Sequence, residues 1–210
     1  MIDSHQITLA IESAIGGGSI SLLRDDNEIA NWTGTSNISK AEDLLANIDK
    51  LLADNNVSRH EIDLIAAAAG PGSFTGIRIG LATALGLKAG LRTSMSSESA
   101  LRAMAHSYKG NGSVTVAVPV GRDAVCTQTF AAAAREVTQL NEPGTVTEDD
   151  FAEQVLDQGV TFLVHSSLFE KVAGQETAIN FGTNIALAVG LICRRSIGVV
   201  REPLFISKSF

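Results

Sequence analysis

The chain has 210 residues, of which 45% are hydrophobic but only 5% aromatic, and a net charge of −7. That composition supports one large core or two small ones built from Ala, Leu, Ile and Val. The acidic balance gives no footprint for gripping a nucleic-acid backbone, which takes clustered Lys and Arg. Cys126 and Cys193 stand far apart without metal-ligand spacing, so neither a zinc site nor a disulfide framework is expected, and a reduced cytoplasmic setting is. The start, "MIDSHQITLAIES", has no basic segment leading into an apolar one, and no stretch of about 20 apolar residues follows anywhere. The expectation is a soluble, unprocessed chain with no membrane association.

In chain order, "QITLAIES" (6–13) and "GSISLLRDD" (18–26) read as a hairpin joined through Gly16, Gly17 and Gly18, with "EIANWTG" (28–34) as a third strand. Residues 39–54 place Leu44, Leu45, Ile48, Leu51 and Leu52 at helical spacing, with Ser39 as N-cap and Glu42 and Asp43 in the first turn. "IDLIAAAAG" (62–70) reads as a buried strand feeding a glycine-rich turn, and 74–91 as the helix after it.

A second unit is expected from about 110, where "KGNGS" breaks the pattern. Strands follow at 114–120 and 124–133, and 135–145 extends the meander to a turn at Pro143 and Gly144. A helix at 147–158 is capped by Thr147, a strand covers 160–167, and an apolar helix spans roughly 182–195. Both halves place strands first and alternate strand with helix afterwards. The expected architecture is therefore α/β in two related lobes, 1–109 and 110–210.

The stretch "AGPGSFTGIRIGLATALGL" (69–87) admits two functional readings. A strand, a glycine-rich turn and a helix can hold an anion, but "GPGSFTG" lacks the Lys-Ser/Thr pair of a phosphate loop and the dinucleotide fingerprint. The helix itself carries Gly72, Gly76, Gly80 and Ala84 at intervals of four, hence on one face. A glycine inside a helix costs about 1 kcal/mol against alanine, so close approach of another element should offset it. That element is either a partner helix, bordered by Ile77 and Leu81, or a part of the same lobe. Docking predicts that Gly80→Leu keeps the fold and weakens partner binding; internal packing predicts that it loses the fold.

The stretch "AGPGSFTGIRIGLATALGLKAG", preceded by "LLANIDKLLADNNVSRHEIDLIA", resembles the TsaB (YeaZ) family of bacterial tRNA threonylcarbamoyladenosine synthesis, and "EPLFI" near the end resembles that family's closing segment. The resemblance covers most of residues 7–100 and is weak in the second lobe. It implies two ribonuclease H-like lobes of the actin and sugar-kinase type, a kinship that has also earned members a glycoprotease-like label. It implies a non-catalytic scaffold that docks and activates a TsaD-like transferase paralogue, reaching tRNA only through the complex. Without that partner, the apolar helix at 74–91 is expected to bury its exposed face in a homodimer. The helices at 39–54 and 74–91 would form the shared interface, with Leu44, Ile48, Gly72, Gly76, Ile77, Gly80, Leu81 and Ala84 in the contact. Where the paralogue's two metal-binding histidines lie, this chain has Lys40 and Leu44, so the resemblance carries over no metal and no cofactor. Two further departures are Glu12-Ser13 where many members have Asp followed by Thr or Ser, and "PVGRDAVC", which places Pro119, Gly121, Ala124 and Cys126 where a "DAR" segment is common.

The remaining chemistry is sparse. His5, His60, His106 and His165 fall in different elements without a spacing that spells a ligand set or triad, and Ser73 and Thr75 have no evident base. Arg78, one turn into the helix, is positioned to pin the glycine-rich loop or reach a partner carboxylate. The alternative function is an actin-like small-molecule kinase or ATPase that uses Glu12 and the glycine turns with magnesium.

Overall fold

In the computed structural model, which describes residues 5–34, 43–133, 136–156 and 159–205, β1 (Ile7–Glu12) and β2 (Ser19–Arg24) form the expected hairpin. The turn between them needs glycine, because Gly16, Gly17 and Gly18 have φ of 55°, 92° and 85°. β3 (Asn27–Thr33) extends the sheet antiparallel, while β4 (Ile62–Ala68) and β5 (Ser94–Glu98) add parallel strands on the other side. The order is β3-β2-β1-β4-β5. Successive residues of a strand point to opposite faces. Ile7, Leu9 and Ile11 thus meet α1 (Leu44–Asp54) and α2 (Phe74–Leu91) on the outer face, whereas Ala10 joins the core on the inner face.

The second sheet has the order β11-β10-β6-β7-β8. It contains β6 (Gly112–Pro119), β7 (Ala124–Ala133), β8 (Glu136–Gln139), β10 (Thr161–His165) and β11 (Ala178–Gly182), with β9 (Gly144–Thr147) also pairing β7. Its outer face is covered by α4 (Glu148–Val155) and α5 (Ser166–Phe169), where Phe151, Val155 and Leu168 pack on Ala117, Val125 and Val164. Thr147 caps α4 as expected, accepting the Asp150 N–H at 3.1 Å.

Between the sheets lie α3 (Ala100–Ser107) and α6 (Ile185–Cys193), packed on each other. The two are exchanged. α6 packs on β1, β2, β4 and β5 of the first sheet, and α3 on β6, β7 and β8 of the second. A division near residue 110 separates the strands of the two sheets, yet each half lends one helix to the other.

The structure adds β5, α3, β9, α5 and β11 to the elements read from the sequence, and Gly144, expected in a turn, begins β9. β5 escapes a periodicity search because its buried positions include Ser96, Ser97 and Glu98. Those serines are bonded by the C-terminal segment: Ser96 Oγ donates to the Ser196 carbonyl at 2.9 Å, and the Ser97 N–H to that of Val199 at 2.9 Å. The last helix starts at Ile185, not 182, because Gly182 ends β11 and Asn184 caps α6. At α1 the expected cap Ser39, together with Lys40 and Glu42, lies outside the described residues, and Asp43 occupies the N-cap position without a side-chain capping bond. Among the described residues no helix is long and apolar enough to cross a membrane.

Candidate functional site

The glycine-rich turn leaves β4 at Ala68 and enters α2 through Ser73, whose hydroxyl accepts the Gly76 N–H at 3.3 Å. Here the structure decides which way the glycine stripe faces. A Cβ at Gly72 would lie 2.7 Å from the Ala14 Cβ; at Gly76 it would fall on the Ser13 carbonyl, and at Gly80 on the Ser13 hydroxyl. The Ser13 hydroxyl donates to the Gly76 carbonyl at 2.9 Å, and the Ser73 N–H to the Ala14 carbonyl at 2.9 Å. The element that comes close to bare helix backbone is thus the chain's own segment after β1.

Most of the residues expected at the interface are turned inward in the lone chain. Gly76, Ile77, Gly80 and Ala84 are buried in the lobe, as are Leu44 and Ile48 of α1, and Gly72 and Leu81 keep partial exposure. Periodicity shows which residues share a face; it does not show which face is inward when the helix is apolar all round. The outward face of α2 carries a second small-residue row, Ala82, Gly86 and Gly90, and at both glycines an added Cβ would meet nothing within 4 Å. Beside it Leu85 is 50% exposed and Phe74 55%. The Phe74 ring lies 4.9 Å from that of Phe205, and the Arg78 guanidinium sits 5.3 Å from the Phe74 ring centroid. Arg78 thus makes a cation–π contact with the first residue of the helix.

The C-terminal segment completes this end of the site. The Leu204 N–H donates to the Ala69 carbonyl at 2.7 Å, and Arg201 lies 3.5 Å from the buried carboxylate of Glu98. "EPLF" is thereby laid against the start of the glycine-rich turn, and Phe205 reaches Phe74.

Across the lobes, the turn after β1 faces His165. One carboxyl oxygen of Glu12 accepts the Ala14 N–H at 2.5 Å and the Ile15 N–H at 2.9 Å. The other is buried without a hydrogen-bond partner among the described residues. Burial raises this carboxyl from 4.5 to about 7, against the lowering effect of the two N–H groups. His165 lies on the glycine turn, where a Cβ at Gly16 would come 2.8 Å from its Cε1. Burial pushes its pKa down to about 4. The neutral ring accepts the Ser167 N–H at Nδ1, 3.3 Å away, with the Ser167 hydroxyl at 2.8 Å. Among the described residues no three His, Cys, Asp or Glu side chains gather as a metal site. Cys126 and Cys193 are free and buried, and burial pushes each thiol up to about 12.

Residues 37–183 match the family model TsaD: tRNA N6-adenosine threonylcarbamoyltransferase, which is more than half of the chain. Among curated proteins, the tRNA threonylcarbamoyladenosine biosynthesis protein TsaB of Haemophilus influenzae is 36% identical over 104 residues, covering 47% of this chain and 42% of that protein. The chain belongs to the family of that model, and the curated relatives it matches carry the name TsaB. The Bacillus subtilis TsaB is 33% identical over 76 residues, covering 36% of this chain and 33% of that protein, so the match spans less than half the length of these TsaB relatives. In three dimensions the likeness extends further. YeaZ from Pseudomonas aeruginosa superposes with a TM-score of 0.67 at 19% identity, covering 91% of this chain and 93% of that one. The fold is also shared with component A of the (R)-2-hydroxyglutaryl-CoA dehydratase of Acidaminococcus fermentans, with a TM-score of 0.56 at 10% identity over 91% and 98% of the two chains. The TsaB-type fold therefore continues through the second lobe, where the sequence resemblance fades.

Proposed function

We propose that this chain is a docking subunit of tRNA threonylcarbamoyladenosine synthesis in the cytoplasm, and that it engages a TsaD-like transferase through the outward face of α2. One observation carries the reading. α2 spends its inner glycines within its own lobe and still presents a second small-residue row, Ala82, Gly86 and Gly90, flanked by Leu85 and Phe74. Exposed glycines inside a helix are unfavourable by about 1 kcal/mol each against alanine, and a partner helix approaching the bare backbone offsets that cost. The same face self-associates when the transferase is absent, since a two-fold contact can bury it against itself. Transfer chemistry belongs to the partner, and tRNA is met only in the complex.

The kinase or ATPase alternative asks for an ionised acid at Glu12 and an open glycine turn. Glu12 instead binds its own turn, and burial favours its neutral form. The imidazole of His165 packs directly against Gly16 and leaves no room there for even a methyl group.

The test is a titration of a TsaD-like transferase against the intact chain and Gly86→Arg. An affinity loss of tenfold or more with unchanged circular dichroism supports the outward face as the docking surface. Unchanged affinity in a folded variant overturns it.

A further inference from the structure

α6 reads IALAVGLIC, without a charged or hydrogen-bonding side chain apart from its final Cys193. A helix of that kind has to be covered on all sides. Ile185, Ala186, Val189 and Ile192 are buried between the sheets, but Leu187 and Leu191 are only half-buried. With Ala188 they line a groove of about 790 Å³, within the range of small-molecule sites. Tyr108 and Phe181 contribute aromatic surface to it. The Tyr108 phenol is folded over Gly110, where any Cβ would collide with it, so the missing side chain at 110 gives the ring its place.

The groove also has a sign. Lys109 follows the end of α3 and Arg195 the end of α6; both line the groove, and neither has an ion pair among the described residues. Asp26 lies there too, but its carboxylate is 3.4 Å from the Arg194 guanidinium. Two cations without a carboxylate partner among the described residues thus border an apolar surface in a chain whose net charge is −7. The dipoles of α3 and α6 favour cations at their C-terminal ends. That accounts for the charges, but it leaves the half-bare leucines without cover.

We propose that this groove binds a small organic anion with a flat aromatic body, its ring on the Leu187–Leu191 surface beside Tyr108 and Phe181 and its acid group at Lys109 and Arg195. The site lies apart from α2 and does not depend on the docking reading.

The test uses two dyes that differ by one acid group, 8-anilinonaphthalene-1-sulfonate and the neutral N-phenyl-1-naphthylamine, in fluorescence titrations of the full chain. The sulfonate is expected to saturate at one dye per chain and to bind at least tenfold more tightly than the neutral dye. Lys109→Glu with Arg195→Glu should remove that advantage and leave the neutral dye unaffected. Leu187→Trp, which fills the apolar surface without touching the charges, should weaken both. Equal affinities for the two dyes, sulfonate binding unchanged in the charge-reversed variant, or no saturation overturns the proposal.

Discussion

Ser13 touches α2 twice: its hydroxyl donates to the Gly76 carbonyl at 2.9 Å, and the same oxygen occupies the space a side chain at Gly80 would need. Gly80→Leu should therefore cost about 2–4 kcal/mol of stability or abolish folding, the scale of overpacking combined with loss of a buried hydrogen bond. Gly86→Ala, whose new methyl meets nothing within 4 Å, should stabilise by about 0.5–1 kcal/mol through helix propensity. Urea midpoints of the two variants check this. Equal effects at the two glycines would contradict the inward and outward assignment.

Self-association should depend on the same outward face. Gly86→Arg places a charge where two α2 helices would cross and should convert a dimer to monomer without loss of helical signal. Light scattering at about 50 micromolar, a concentration suited to weak pairs, reads the result. A variant that stays dimeric moves the contact elsewhere.

The contact between Gly16 and His165 can be examined as a pair. Gly16→Ala meets both a φ of 55° and a methyl 2.8 Å from the imidazole, so it should destabilise by about 1–3 kcal/mol. In the His165→Ala background only the backbone cost remains. A double-mutant cycle that returns no coupling would mean the lobes do not meet at this point.

Glu12 and His165 give stability opposite pH dependences. Glu12 has a folded pKa near 7 against 4.5, so its contribution is full below pH 4.5 and is lost as pH rises toward 7. His165 has a folded pKa near 4 against 6.5, so its contribution is full above pH 6.5 and is lost as pH falls toward 4. Between 4.5 and 6.5 the two offset each other. Relative to the unmodified chain, Glu12→Gln should lose stability on acidification through this window by about 1 kcal/mol per pH unit, and His165→Asn should gain by a similar amount. Denaturation midpoints at pH 4.5, 5.5 and 6.5 provide the readout, and parallel profiles for the three proteins would rule out this assignment.

Some of this was legible in the sequence and some was not, for identifiable reasons. The bounds of α2 and β7 follow from local signals, a serine cap after glycines in one and an alternating apolar run in the other. The membership of the Gly72–Gly76–Gly80–Ala84 row was legible as well, because helical spacing is a local property. Its direction was not: Arg78, Ala82, Gly86 and Gly90 repeat the same interval, and the choice between the rows is made by Ser13 and Ala14, far away in the chain. His165 was equally hidden. It reads as one histidine at the end of a strand, and its meaning comes from Gly16 in the other lobe. β5 was missed because its serines bond a segment about a hundred residues later instead of alternating with apolar neighbours.

The exchange of α3 and α6 between the sheets bears on how the chain is made. A ribosome delivers β1 to β5 well before α6, yet α6 is the cover for the inner face of four of those strands. During synthesis the first sheet waits with that face bare, and the segment that bonds Ser97 and Ala69 arrives later still. Maturation is therefore a late event that engages both halves together, and residues 1–109 expressed alone carry an uncovered sheet face that invites aggregation.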